Sequence, residues 1–423
     1  MTDLLPGLPV SVLHCAPVVL PITSLPLYDG AVAIAGDRIA AVGPRAELVT
    51  RYPDARIRSW PGVLTTGLVN AHTHLEYTDF ADLALTGLPF AEWIRLVTAR
   101  RATFTPHQWM ESSRHGVHQL LKSGTTCVAD VVTNGPGIVA AAATGLAGIS
   151  YLEMVGVDEA RWPAALKQLE SQLADAPGGR TLGLSPHAPY TLGTEVLRRL
   201  GALAREQGLR LHPHIAESPS EVEYVASGGG PFGNLPPGLD FDFELTGLGC
   251  ALTPAAYLDS VSVLGGDVHV AHGVHVDAAD RALLRSRGTA VALCPRSNDI
   301  LLAGTAPVAA YLSEGNAISV GTDSLSSSPS LDVLDDVRAL REIAVAQGYA
   351  SADLDQRLIE AATIGGAFAM GLSDVGRLQP GVRADLAAFN VPTDGDPYAA
   401  LVTSGAGSCV ATILGGRIVH RAR

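Results

Sequence analysis

Seven side chains able to hold a cation or move a proton recur at the ends of short apolar runs. His72 and His74 close the run ending NAHTH, His187 closes LGLSPH, and His214 with Glu217 closes HPHIAE. His272 closes HVAH, and Asp323 closes SVGTD. If each run is a strand, residues two apart share a face, so His72 and His74 point the same way. Imidazoles from His72, His74 and His214 with the Asp323 carboxylate make an N3O donor set that suits Zn2+, with Fe2+ also open. One ion per chain would keep a coordination position for water. Singly, an HxH pair or a GTD triplet more often means packing or a turn. Their joint placement at strand ends carries the weight. His212 shares the face of His214 and reads either as a support for the site or as core.

Positioning such residues needs parallel strands that end together. Eight runs qualify: 62–70, 125–131, 147–154, 180–186, 208–214, 267–272, 289–294 and 317–322, with helix-like stretches such as PAALKQLESQLA between them. That alternation predicts an α/β fold, a (β/α)8 TIM-like barrel over residues 61–375. The rival doubly wound sheet lacks a Gly-rich phosphate loop after its first strand. DGAVAIAGDRIAAVG near one end, and ADLAAFNV with CVATILGGRIVHRAR near the other, alternate with period two around Gly-containing turns. Residues 1–60 and 376–423 are therefore expected to pair into one small β-sandwich. Two long connections, 75–107 and 218–248, follow strands on the side where a barrel builds its site.

Composition narrows the function class. In 423 residues, 42 acids against 29 bases give a net charge of −13, which argues against nucleic acid or an anionic membrane as partner. The first basic residue is Arg38, so no secretory n-region is read, and Pro17, Pro21 and Pro26 break the first apolar stretch. Five scattered cysteines without a CxxC imply neither a disulfide framework nor a zinc ribbon. A cytoplasmic enzyme acting on a small molecule fits best. A homodimer stays open.

NAHTHLE, HPHIAES, AHGVH, CPRSN and VGTDS, in this order, resemble the metal-dependent amidohydrolase superfamily, and more narrowly its adenosine-type and guanine deaminases and s-triazine hydrolases. GRLQPGVRADLAAFN is similar to that family's return into its small sandwich. The resemblance implies metal ligands His72, His74, His214 and Asp323, with Glu217, His272 and Asp323 as catalytic groups. Two-metal members carry a carboxylated lysine at the fourth strand end, whereas the only lysines here are Lys122 and Lys167. One metal is expected, and His187 is free to touch substrate. The implied chemistry is hydrolytic deamination. Water on the ion attacks the amine-bearing ring carbon, Asp323 takes the water proton, His272 orients the nucleophile, and Glu217 protonates the neighbouring ring nitrogen.

Substrate contacts are expected from Glu76 and Trp93 in the first long connection, and from Arg296 in CPRSN. Arg296 would meet a substrate carboxylate or pair with an internal acid; Arg95, Arg100 and Arg101 are further cations on one helix. HTHLE, CPRSND and TDSLSSSPSLD look most like aminodeoxyfutalosine deaminases, which act on a benzoate-bearing adenine nucleoside on a route to menaquinone. Alternatives are deamination of S-adenosylhomocysteine, 5′-methylthioadenosine, adenosine or guanine, an s-triazine chlorohydrolase, a ring-opening cyclic amidohydrolase and a non-catalytic binding protein.

Overall fold

The structure, a computed structural model, describes residues 9–133, 135–234 and 242–422. The N-terminal alternating segments form β1 (Val12–Leu20), β2 (Leu27–Ala35), β3 (Arg38–Pro44), β4 (Arg56–Ser59) and β5 (Val63–Thr66). The central runs form β6 (Leu68–Thr73), β7 (Thr125–Val132), β8 (Ala147–Met154), β9 (Thr181–Pro186), β10 (His214–Ile215), β11 (His269–His272), β12 (Ala290–Leu293) and β13 (Ile318–Val320). The chain returns in β14 (Leu386–Phe389), β15 (Cys409–Leu414) and β16 (Arg417–Arg421). Both ends meet in one mixed eight-stranded sheet, ordered β16-β15-β14-β5-β1-β2-β3 with β4 on β1. Val19, Ile34, Leu64, Leu386 and Ile413 pack together on it.

The central strands form two four-stranded parallel sheets, β6-β7-β8-β9 and β10-β11-β12-β13. β6 and β7 are buried along their whole length, as parallel strands covered on both faces must be. Leu211 bridges both Leu184 and Val268, joining one sheet to the other. At the opposite edges, the amides of Thr322 and Asp323 donate to the His72 carbonyl at 3.1 and 3.0 Å.

Two of the expected runs need correction. The first, 62–70, is two strands: β5 joins the terminal sheet and β6 the parallel one. They divide at Gly67, where a Cβ would sit 2.0 Å from Thr126 Oγ1. The fifth shrinks to β10, because Pro213 has no N–H to give a ladder and leaves Leu211 as an isolated bridge. The connection 75–107 carries a 3-10 segment (Leu75–Leu85) and the helix Phe90–Arg101. That over 218–248 opens with the helix Pro219–Ser227, and its stretch 235–241 lies outside the described residues. Among the described residues no helix is long and apolar enough to cross a membrane.

Candidate active site

The strand ends that meet at one point are tied by their own side chains. Asn70 donates to Thr322 Oγ1 at 2.7 Å and accepts from the Thr322 amide at 3.2 Å. Thr73 Oγ1 donates to the Asp323 carbonyl at 2.7 Å. Gly321 permits this approach, since a Cβ there would lie 2.7 Å from His72 Cβ and 2.9 Å from Cys294 Sγ. Asp323 and His272 hold left-handed backbone, φ 56° and 71°, which non-glycine residues keep only where their surroundings impose it.

Four donors converge there. His72 Nε2 and His74 Nε2 each lie 3.6 Å from Asp323 Oδ1, and His74 Nε2 lies 3.3 Å from His214 Nε2. Ser297 and Ser327 donate to Asp323 Oδ2 at 2.6 and 2.8 Å, leaving Oδ1 turned to the histidines. The ring tautomers follow from what lies behind. His212 Nδ1 faces the His269 carbonyl at 2.9 Å, and a carbonyl only accepts, so Nδ1 carries the proton. Burial holds the His212 pKa well below its ordinary value, so its Nε2 is a lone pair and accepts from His72 Nδ1 at 2.8 Å. With Nδ1 turned to His212, the other ring nitrogen of His72, Nε2, faces the cluster as a buried atom without a hydrogen-bond partner. His214 Nδ1 donates to the His187 carbonyl at 3.0 Å, which frees its Nε2 likewise. Burial also keeps His74 and His214 neutral. Ring nitrogens of three histidines and a carboxylate oxygen aimed at one point fit a divalent cation.

Beside this cluster sits a buried acid. Glu217 Oε1 is 3.5 Å from His272 Nε2, and His272 Nδ1 meets Asn298 Oδ1 at 3.0 Å. The Glu221 carboxylate accepts from the amides of Ala216 and Glu217 at 2.8 and 2.9 Å, fixing the turn that aims Glu217. Burial, then the charges of Asp323 and Glu221, push the Glu217 carboxyl well above the usual carboxylate range. Burial lowers His272 to about 4. The pair is a buried carboxyl held above its ordinary range beside an imidazole held below its own.

A cavity of about 670 Å³, counting its open mouth, lies over the cluster and is lined by His74, His214, Glu217, His272 and Asp323. His187 and Trp93 line it as expected, the Trp93 indole donating to the Ser326 carbonyl at 2.8 Å. Glu76 and Arg296 are absent from the lining. Glu76 Oε1 accepts from the Thr133 amide and hydroxyl, so it braces the end of β7 rather than facing a sugar. Arg296 meets Asp336 at 2.6 Å and the carbonyls of Ser330 and Asp332, the internal-acid alternative. Tyr77, Arg101, Glu153 and Tyr190 also line it and were not singled out as contacts by spacing, although Arg101 stood among the helix cations. Glu153, His187 and His214 form a second donor group that shares His214 with the first.

Comparison with known proteins gives the family. The amidohydrolase family model matches residues 63–419, and an imidazolonepropionase-like composite domain from bacteria matches residues 30–55. The chain belongs to the amidohydrolase family. A 5-methylthioadenosine/S-adenosylhomocysteine deaminase of Pelotomaculum thermopropionicum is 31% identical over 371 residues, covering 85% of this chain and 79% of that protein. An aminodeoxyfutalosine deaminase of Deinococcus radiodurans is 34% identical over 328 residues, covering 74% and 76%. A zinc-bound adenosine deaminase structure from Xanthomonas campestris superposes with a TM-score of 0.83 at 25% identity, covering 98% of this chain and 94% of that one. This family is metal-dependent, and its members with a TIM-barrel-type fold share the two parallel sheets seen here.

Proposed function

We propose that this amidohydrolase deaminates an adenine nucleoside with one zinc ion held by His72, His74, His214 and Asp323, and that its substrate is 6-amino-6-deoxyfutalosine, giving futalosine and ammonia. In this reading the two parallel sheets close into one barrel, and the terminal strands β1–β5 with β14–β16 form the sandwich beside it, so the boundary expected at residue 61 moves past β5. A bound divalent cation supplies Lewis acidity and a water of lowered pKa. Asp323, with Oδ2 held by Ser297 and Ser327, accepts the water proton at Oδ1. His272, its ring fixed by Asn298, orients the nucleophile. Glu217 delivers its proton to the ring nitrogen next to the carbon under attack, which keeps negative charge off the heterocycle; the proton held by Asp323 then passes to the amine, the C–N bond breaks to release ammonia, and the hydroxyl proton returns to Glu217 as the carbonyl forms. His187 and Trp93 contact the substrate from the cavity walls.

The observation that carries this reading is the buried Glu217 carboxyl 3.5 Å from His272, beside the converging ring nitrogens of His72, His74 and His214 and the Asp323 carboxylate. A second reading, deamination of S-adenosylhomocysteine or 5′-methylthioadenosine, is favoured by the Pelotomaculum relative, which spans more of the chain. Ammonia release from zinc-loaded protein with these three nucleosides and adenosine tests both. Aminodeoxyfutalosine should have the highest kcat/KM. A higher value with another nucleoside selects the second reading, and no ammonia from any rejects deamination.

A further inference from the structure

The cavity holds a cation that none of these steps uses. Arg101 ends the helix Phe90–Arg101 and lines the cavity, while its neighbour Arg100 is bound to Asp82 at 2.7 Å. Among the described residues Arg101 makes no hydrogen bond and no ion pair; its close partner is the Tyr77 ring, 5.8 Å from the guanidinium carbon. A guanidinium stays charged at any working pH and presents a planar fork of donors. Such a fork half-buried in a cavity wall is set up for a planar anion.

Neither Glu153 on the same wall nor Glu76 behind it takes that role. Glu76 is bound to Thr133, and Glu153 lies beyond ion-pair distance of Arg101, with Oε2 within 3.4 Å of the Thr133 hydroxyl. Tyr77 is the ring beside Arg101, and further along the cavity the wall stays aromatic. Phe90, Trp93 and Tyr190 line the cavity, and Tyr190 is braced by Phe232 stacked at 4.0 Å. Flat apolar faces beside a charged fork match an aryl group that ends in a carboxylate.

We infer that Arg101 reads a carboxylate at the far end of the nucleoside's 5′ substituent, whose aryl body rests on Phe90, Trp93 and Tyr190. This rests on the nucleoside deaminase reading and gives the anion-binding role expected of Arg296 to a different residue.

Two substrates of nearly equal size separate charge from shape: the benzoate-bearing aminodeoxyfutalosine and its benzoate methyl ester. Wild-type protein should prefer acid over ester in kcat/KM by about 30- to 100-fold, the range of a charge-assisted hydrogen-bonded pair. Arg101→Gln should bring that ratio close to one, and Arg101→Lys should keep part of it. A structural Arg101 would lower both constants together and leave the ratio at its wild-type value, which would overturn the assignment. So would a wild-type ratio near one. Calorimetric binding of acid and ester to Glu217→Gln protein, with and without Arg101→Gln, reads the same ratio without turnover. Failure of all nucleosides to release ammonia would therefore sink the deaminase reading, while the binding ratio still decides Arg101.

Discussion

His212 Nε2 lies 2.8 Å from His72 Nδ1, and the His269 carbonyl behind His212 fixes which ring nitrogen carries each proton. An imidazole that can only accept forces its neighbour to donate, and that turns the His72 lone pair into the site. His212→Leu should weaken zinc affinity by about 10- to 100-fold, the usual cost of removing a partner that orients a ligand. His212→Gln, whose amide can both accept and donate, should retain more of it. Chelator competition on purified protein checks both variants. Unchanged affinity in His212→Leu would mean that His72 needs no such partner.

Glu217 touches His272 and not the ligand set, so its loss should separate chemistry from metal binding. Glu217→Gln keeps the shape and loses the proton. Zinc content by elemental analysis should stay at one per chain while kcat falls by about 10²–10⁴.

The alkaline side of the pH profile should report the same group. Its carboxyl is raised by burial first, then by Asp323 and Glu221. A raised pKa means that the proton donor is present below that value and lost as pH climbs through it. The alkaline limb of kcat/KM should therefore belong to Glu217 and vanish from the residual activity of Glu217→Gln. A limb that persists unchanged in the variant assigns it elsewhere. A bound cation pulls the value down from where burial alone sets it, so the profile is to be taken on zinc-loaded protein.

Arg296 is a structural cation. It is bound to Asp336, which is fully buried, and its amide approaches the same carboxylate. Removing one partner of a buried pair costs about 3–5 kcal/mol because the other charge is left alone. Arg296→Met should lower unfolding stability by that order in a denaturant titration, and Arg296→Met with Asp336→Leu should recover part of it. A normal stability with a raised KM would return Arg296 to the substrate.

What could be read from sequence and what could not divide along physical lines. Metal-ligand candidates stood out because period two and strand ends place His72, His74, His214 and Asp323 together whatever the helices do. Glu217 and His272 emerged from the same placement. Arg95, Arg100 and Arg101 could not be told apart, because one residue is a 100° turn of the helix and only packing decides which side chain faces inward. Arg296 was ambiguous because its partner Asp336 is 40 residues on, in the helix Val333–Ala346, a distance no motif spacing reveals. The run 62–70 hid two strands because β5 and β6 are equally apolar and only their pairing separates them. His212 carried no signal beyond sharing a face with His214, since its role depends on which neighbour accepts its proton.

The central claim is one cation held by four side chains from three strands, and the most direct test is a crystal structure of zinc-soaked protein with anomalous data at the zinc edge. The account predicts a single full-occupancy peak about 2.0–2.2 Å from His72 Nε2, His74 Nε2, His214 Nε2 and Asp323 Oδ1. A peak at Glu153 and His187 instead, or none at the four, would contradict it.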